Sequence, residues 1–133
     1  MTALPPFVAL LALAATQAGA SERPWTVRQV IENAELLDGR EVIVAGWLQA
    51  CQRLSCPLFN SPEEAKGQSP AYHLSVGGNG WFDHDARRYA PSYVILKARV
   101  DARCINDPSQ DVIALCTDRP SSLRPVRIIH WGK

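Results

Sequence analysis

The chain lacks an excess of charge of either sign. Its 133 residues include 14 lysines and arginines and 13 aspartates and glutamates, which gives a formal net charge of +1 at pH 7. A chain so close to neutral has no whole-molecule field that would gather nucleic acid or hold the protein on an anionic membrane. Any charged partner must therefore be met by a local patch.

The chain also lacks the short motifs that mark common catalytic and nucleotide-binding sites. It contains no G-x-S-x-G or S-x-x-K sequence for a serine hydrolase, no C-x-x-C for a thiol–disulfide oxidoreductase and no zinc knuckle. Gly77-Gly78-Asn79-Gly80 has neither the spacing of a dinucleotide loop nor that of a P-loop, so it predicts a turn. We therefore expect no catalytic residue, no metal site and no cofactor.

Charged side chains are missing from the first twenty residues. Apolar residues run from Phe7 to Ala15, and Ala18-Gly19-Ala20 before Ser21 matches the small-x-small pattern of a signal-peptidase site. An uncleaved membrane anchor is the alternative, but the apolar run is well short of the roughly 20 residues that span a bilayer. We interpret residues 1–20 as a cleaved signal peptide and residues 21–133 as one periplasmic or secreted domain without a membrane span.

All four cysteines, Cys51, Cys56, Cys104 and Cys116, lie in this mature part. An even number of cysteines in an exported protein favours disulfides. Three pairings are possible. We prefer Cys51 with Cys56 and Cys104 with Cys116, because each pair is close in the sequence and flanks a turn-like segment. A four-thiolate zinc site is the alternative, and an oxidising compartment disfavours it.

Two long segments predict β-strands. The segment from Arg40 to Cys51 is rich in β-branched and aromatic residues, and Gly46 in its middle suits a strand that bulges or coils sharply. From Tyr93 to Cys104, apolar residues alternate with charged ones, which is the strongest periodic signal in the chain. This alternation predicts an inner and an outer face for the sheet.

Shorter segments complete the predicted fold. Thr26 and Gln29 form a capping-box pattern that begins a helix over Val27–Leu37, and Gly39 supplies its left-handed end. The remaining predictions are strands at Leu58–Phe59, Tyr72–Val76, Val112–Cys116 and Val126–Trp131, a solvated loop over Asn60–Pro70, and a helical turn over Trp81–Tyr89 that Asp83 caps.

Together these elements predict a mainly β fold, a small five-stranded OB-like barrel with an N-terminal capping helix. The segments Asp38–Leu48, Tyr93–Asp101 and Val126–Ile129 resemble the strands of small exported bacterial OB-fold-like proteins. The resemblance covers nearly all of the mature chain and implies a fold and a compartment. It consists of hydrophobic and glycine patterns, and a fold alone does not supply a function.

The expected function is that of an exported, non-catalytic binding or interaction module, a monomer that binds an unknown protein or small ligand. OB barrels often bind single-stranded nucleic acid or oligosaccharide on the face of strands two and three. Candidate ligand-binding residues are the aromatic Tyr72, Trp81 and Phe82, together with Lys97 and Arg99 on the outer face of a neighbouring strand. Neutral charge and export make nucleic acid the less favoured ligand.

The alternative is a small exported hydrolase with a site built from loops around Asp83, His84 and the strand of Ser75. Neighbouring residues on a helical turn point in different directions, so the acidic cluster at Asp83 predicts capping and solvation more than a metal site. A pocket that unites His84 or His73 with a carboxylate and a nucleophile would favour the hydrolase. A shallow aromatic face would favour the binding module.

Overall fold

The computed structural model describes residues 23–52, 55–67, 72–107 and 121–132, which contain six strands and four short α-helices. The predicted signal peptide and the predicted strand Val112–Cys116 lie outside these residues. In chain order the elements are β1 (Trp25–Thr26), α1 (Val27–Glu32), α2 (Ala34–Leu37), β2 (Glu41–Leu48), β3 (Ser55–Phe59), α3 (Pro62–Lys66), β4 (His73–Gly77), α4 (Gly80–Tyr89), β5 (Ser92–Val100), a 3-10 helix (Ala102–Cys104) and β6 (Leu123–Trp131).

Five of the strands close a barrel. They pair in the order β2-β3-β4-β6-β5, and β5 pairs with β2 along the full length of β2, from Glu41 opposite Arg99 to Leu48 opposite Ser92. The β4–β6 pairing is parallel and the other four are antiparallel. The predicted OB-like barrel is thereby confirmed. The two-residue β1 is an additional strand, parallel to β2.

The inner face of the barrel is the apolar face that the alternation along β5 predicts. Buried residues of β2, β3 and β4 meet those of β5 in one core, which the buried side of α1 also joins. The inward apolar residues of β5, each no more than 1% exposed, are Val94, Leu96, Ala98 and Val100.

The strand predicted to run to Cys104 ends earlier, at Val100. The partner strand β2 begins at this end of the ladder, just after Gly39. The Gly39 N–H donates to the Val100 carbonyl at 2.8 Å, and Gly39 has the predicted left-handed φ of 75°. Beyond this point the Asp101 side chain accepts the Arg103 N–H at 3.2 Å and caps the 3-10 helix. The alternation of residue types therefore continues past the end of the ladder.

The helix predicted over Val27–Leu37 is two helices, because the chain breaks at Asn33. The predicted capping box is present, with the Gln29 N–H 3.1 Å from Thr26 Oγ1. At the break, Asn33 Nδ2 donates to the Gln29 carbonyl at 2.8 Å and competes with the helical hydrogen bonds. No helix in the described residues is long and apolar enough to cross a membrane.

The prediction of a loop after Asn60 was wrong, and so was the predicted cap of the helix at Trp81. The predicted loop after Asn60 contains α3, whose first turn is capped by Ser61 with the Glu64 N–H 3.2 Å from its hydroxyl. The helical turn near Trp81 is a ten-residue helix, α4, and its N-cap is Asn79 rather than Asp83. α3 has no buried residue and therefore no apolar pattern, and α4 begins one residue before the predicted helical turn.

Ser122 joins the two parallel strands of the barrel. β4 and β6 share a single residue pair, Val76 with Leu123. Next to this pair the buried Ser122 hydroxyl accepts the Ser75 N–H at 2.8 Å and lies 3.1 Å from the Ser75 carbonyl. The side chain therefore replaces part of the missing ladder and fixes the position of Ser75.

The predicted disulfide between Cys51 and Cys56 is present at the start of β3. Cys104 is also in a disulfide, while Cys116, its predicted partner, lies outside the described residues. The first bridge closes the connection between β2 and β3, which carries part of the site described below.

Removing this bridge should lower the free energy of unfolding. A bridge between residues five apart in sequence restricts the unfolded chain enough to contribute about 2 kcal/mol in the chain-entropy model. We expect a loss of this size for the double variant Cys51→Ala/Cys56→Ala in guanidinium unfolding at equilibrium. An unchanged midpoint would show that the bridge does not constrain the unfolded chain.

Candidate functional site

A groove of about 540 Å³ lies on the outer face of β3 and β4. Four side chains from the two strands are arranged around it together with one from the connection before β3. The described residues that line it are Gln52, Ser55, Pro57, His73 and Ser75.

The register of β3 and β4 sets the order of groups along this face. Pro57 lies opposite Ser75, and Phe59 lies opposite His73. Residues directly opposite on antiparallel strands project to the same side of a sheet. One end of the face therefore has a ring platform, with the Phe59 and His73 rings 5.5 Å apart, and the other end has hydroxyl groups.

The Cys51–Cys56 bridge positions the polar end of the groove. Within the loop that it closes, the Gln52 N–H donates to the Ser55 carbonyl at 2.9 Å, and the Ser55 N–H donates back to the Gln52 carbonyl at 3.3 Å. This isolated β-bridge between Gln52 and Ser55, together with the disulfide, holds Gln52 beside the start of β3. The amide group is therefore presented from a constrained loop.

The described lining residues are hydrogen-bonding groups and apolar surfaces. They include one amide, two hydroxyls and one imidazole, but no lysine, arginine, aspartate or glutamate. His73 and Ser75 share the groove, yet Asp83 and His84, which the hydrolase hypothesis joins to them, lie on α4. Among the described residues no group of three or more histidines, cysteines and carboxylates could hold a metal ion.

Tyr72, a predicted ligand residue, lies directly before β4 and next to the groove residue His73. The Arg28 guanidinium lies over its ring, 4.7 Å from the ring centre. Arg28 Nε also donates to Glu32 at 3.0 Å, and this hydrogen bond raises the pKa of the guanidinium above its usual value. One face of the Tyr72 ring is therefore already covered by a cation.

Trp81 and Phe82, the other two predicted aromatic residues, belong to α4. Phe82 is fully buried, with its ring 6.4 Å from that of Trp131. Its ring is part of the core and offers no surface to a ligand. Trp81 is 43% exposed and packs edge-on against Phe82 with the ring centres 6.0 Å apart.

Lys97 and Arg99 project from the outer face of β5 and share one carboxylate. Lys97 Nζ lies 3.5 Å from Glu41 Oε2, and Arg99 Nη2 lies 3.2 Å from Glu41 Oε1. The five predicted ligand residues therefore belong to three separate groups of contacts, at β4, α4 and β5.

The sequence prediction missed Gln52, Ser55 and Pro57 as groove residues. A signal was present, since the buried Cys56 and Leu58 alternate with their neighbours along β3. The cysteine and the proline obscured this short alternation. Only the register with β4 brings these residues beside Ser75.

Comparison with known proteins identified no relative of this chain. A scan against protein-family models and searches of curated proteins and of solved structures found no match. What the groove binds must therefore be inferred from its own residues.

Proposed function

We propose that this protein is an exported, non-catalytic binding module that holds an uncharged, hydroxyl-rich ligand, such as an oligosaccharide, on the outer face of β3 and β4. The groove lined by Gln52, Ser55, Pro57, His73 and Ser75 carries this proposal. β3 and β4 are the second and third strands of the five-stranded barrel. OB folds hold extended ligands on the face of these two strands.

The chemistry of the groove favours a neutral ligand over nucleic acid. Binding to a phosphate backbone depends on lysine and arginine side chains, and the described lining residues include neither. An amide and hydroxyl groups can exchange hydrogen bonds with sugar hydroxyls, while Pro57 and the Phe59–His73 pair offer an apolar platform. The Cys51–Cys56 disulfide supports the exported location, because such bonds persist in oxidising compartments.

The test is calorimetric titration with neutral oligosaccharides of glucose and of N-acetylglucosamine. We expect binding that changes little with salt and weakens about fivefold in Ser75→Ala, since one neutral hydrogen bond contributes about 1 kcal/mol. We also expect His73→Ala, which removes one side of the ring platform, to weaken binding at least as much.

The matched control is His84→Ala, which removes an exposed imidazole from α4 rather than from the groove. This variant should bind the oligosaccharides as the unaltered protein does. Equal losses in His73→Ala and His84→Ala, or no binding of either oligosaccharide series, would contradict the proposal.

A further inference from the structure

The outer surface of β2, β5 and β6 is a second face, distinct from the groove, and we call it the β5–β6 face. Its residues lie in rows across the three strands, because Glu41, Arg99 and Arg124 are opposite one another, and so are Ile43, Lys97 and Arg127. The next two rows are mainly apolar. They contain Ala45 and Ile95 with the polar His130, followed by Trp47 and Tyr93.

The first two rows make one end of the face cationic. Arg99 lies directly opposite Arg124, and Lys97 lies directly opposite Arg127. Glu41 pairs with Lys97 and Arg99, whereas Arg124 and Arg127 have no ion pair within the described residues. Like charges directly opposite on neighbouring strands destabilise a sheet, so the stability of the barrel does not explain these pairs.

A groove of about 430 Å³ continues from this cationic end. Three arginines, Arg99, Arg103 and Arg124, line it together with Ser121 and two aspartates, Asp38 and Asp101. Asp38 Oδ1 accepts the Ala102 N–H at 3.0 Å. The carboxylate of Asp101 is engaged by Arg103 at 3.2 Å. The Ser121 hydroxyl is buried and has no hydrogen-bond partner in the described part of the chain, which leaves a donor beside the arginines. These groups suit an anion with several oxygen atoms.

The other end of the face exposes apolar side chains. Tyr93 is 49% exposed and packs edge-on against Trp47 with the ring centres 5.0 Å apart. The pairing of β6 with β5 skips Ile129, beside the row of His130, and Val126, between the two cationic rows, and each of these side chains is 43% exposed. Apolar surface therefore adjoins the cationic rows.

We infer that the β5–β6 face docks on an anionic lipid surface. The cationic rows and their groove take phosphate headgroups, and the apolar end enters the region between the headgroups and the acyl chains. Tyrosine and tryptophan prefer this interface, and lysine and arginine near an anionic leaflet strengthen binding by about fivefold each.

A single-stranded nucleic acid fits this face less well. Bases stack on the flat sides of aromatic rings, but Tyr93 is the one aromatic residue among the exposed large apolar side chains of this face in the described residues, beside Val126 and Ile129. The Trp47 and Tyr93 rings also pack against each other. This inference concerns a different face from the β3–β4 groove, so either one can fail without the other.

The test measures sedimentation of the protein with vesicles of phosphatidylcholine that contain about one-third phosphatidylglycerol, and with vesicles of phosphatidylcholine alone. We expect binding to the anionic vesicles only, and a loss of about thirtyfold in the double variant Arg124→Gln/Arg127→Gln. This variant breaks no ion pair within the described residues and relieves like-charge repulsion, so its melting temperature should not fall.

Two controls test whether the position of the charged and apolar side chains on this face matters, rather than the total charge or apolar surface of the protein. Arg87→Gln/Arg88→Gln on α4 removes the same charge and should bind as the unaltered protein does. Ile129→Ser should lose about fivefold in vesicle affinity, whereas Leu36→Ser, at a side chain that is 60% exposed on α2, should lose nothing.

Three outcomes would overturn the inference. The first is an equal loss of vesicle affinity in the two arginine double variants, and the second is equal binding to anionic and neutral vesicles. The third is binding to a soluble sulfated polysaccharide with the same affinity as to vesicles and with no effect of Ile129→Ser. The last result would identify the face as a site for a soluble polyanion. Tighter binding to vesicles, with losses confined to variants of the face, supports docking on lipid.

Discussion

Replacing Phe82 with alanine is expected to lower the free energy of unfolding by about 3–5 kcal/mol. The ring is fully buried between the barrel and α4, and it packs near Trp131 of β6. Truncation removes its apolar contacts and leaves a cavity that the closed barrel can fill only in part. Equilibrium denaturation in guanidinium, followed by tryptophan fluorescence and circular dichroism, measures the loss.

The matched control for this experiment is Trp81→Ala, the neighbouring aromatic residue on the same helix. Its ring is 43% exposed and keeps an edge-on contact with Phe82, so we expect a loss of only about 1 kcal/mol. If both variants lost the same amount, Phe82 would not be the side chain that docks α4 on the barrel.

The second large effect is expected at Gly46, in the middle of β2. A Cβ atom there would lie 2.6 Å from the carbonyl oxygen of Phe59 and 3.1 Å from two side-chain atoms of Leu58. The oxygen belongs to the backbone of β3 and cannot move aside alone. We expect Gly46→Ala to cost about 3 kcal/mol, the upper end of the range for overpacking.

Gly80→Ala is the matched control, because a Cβ atom at the start of α4 would meet nothing within 4 Å. Alanine is the better helix former, so stability should stay the same or rise slightly. Gly46→Ala should also weaken oligosaccharide binding, since β3 carries part of the groove. A Gly46→Ala protein as stable as the control would contradict the close approach of β2 and β3.

The barrel could be predicted because its strongest signals are local. Alternation along Tyr93–Val100 sets the inner face without any knowledge of the neighbouring strands, and the capping box at Thr26 begins α1 as predicted. The sequence indicates Gly46 as a special strand residue, and the predicted reason is a bulge or a sharp coil of the strand. The structural reason is the nearby backbone of β3, which the sequence of β2 does not contain.

Helix α3 shows where composition was misleading. Ser61, Pro62 and the acidic Glu63 and Glu64 are typical of a helix N-terminus, and Lys66 lies in its last turn. The segment has no buried residue, so its apolar pattern was absent and it was interpreted as a loop. Its capping residues therefore indicate this surface helix where periodicity does not.

Neither binding surface could be assembled from the sequence alone, because both depend on register. Ser75 meets Pro57 only through the pairing of β3 with β4. Likewise, Lys97 meets Arg127 only because the bulges of β6 shift its pairing with β5. Local alternation shows that these side chains face outward, but it does not show which of them become neighbours.

The most direct test of the proposed binding site is a two-dimensional amide NMR titration of the isotope-labelled protein with a neutral oligosaccharide. We expect the largest shift changes at Gln52, Ser55, His73 and Ser75, with little change along α4 or the β5–β6 face. Shift changes that avoid β3 and β4, or no changes at saturating oligosaccharide, would show that the outer face of these strands is not where the protein binds.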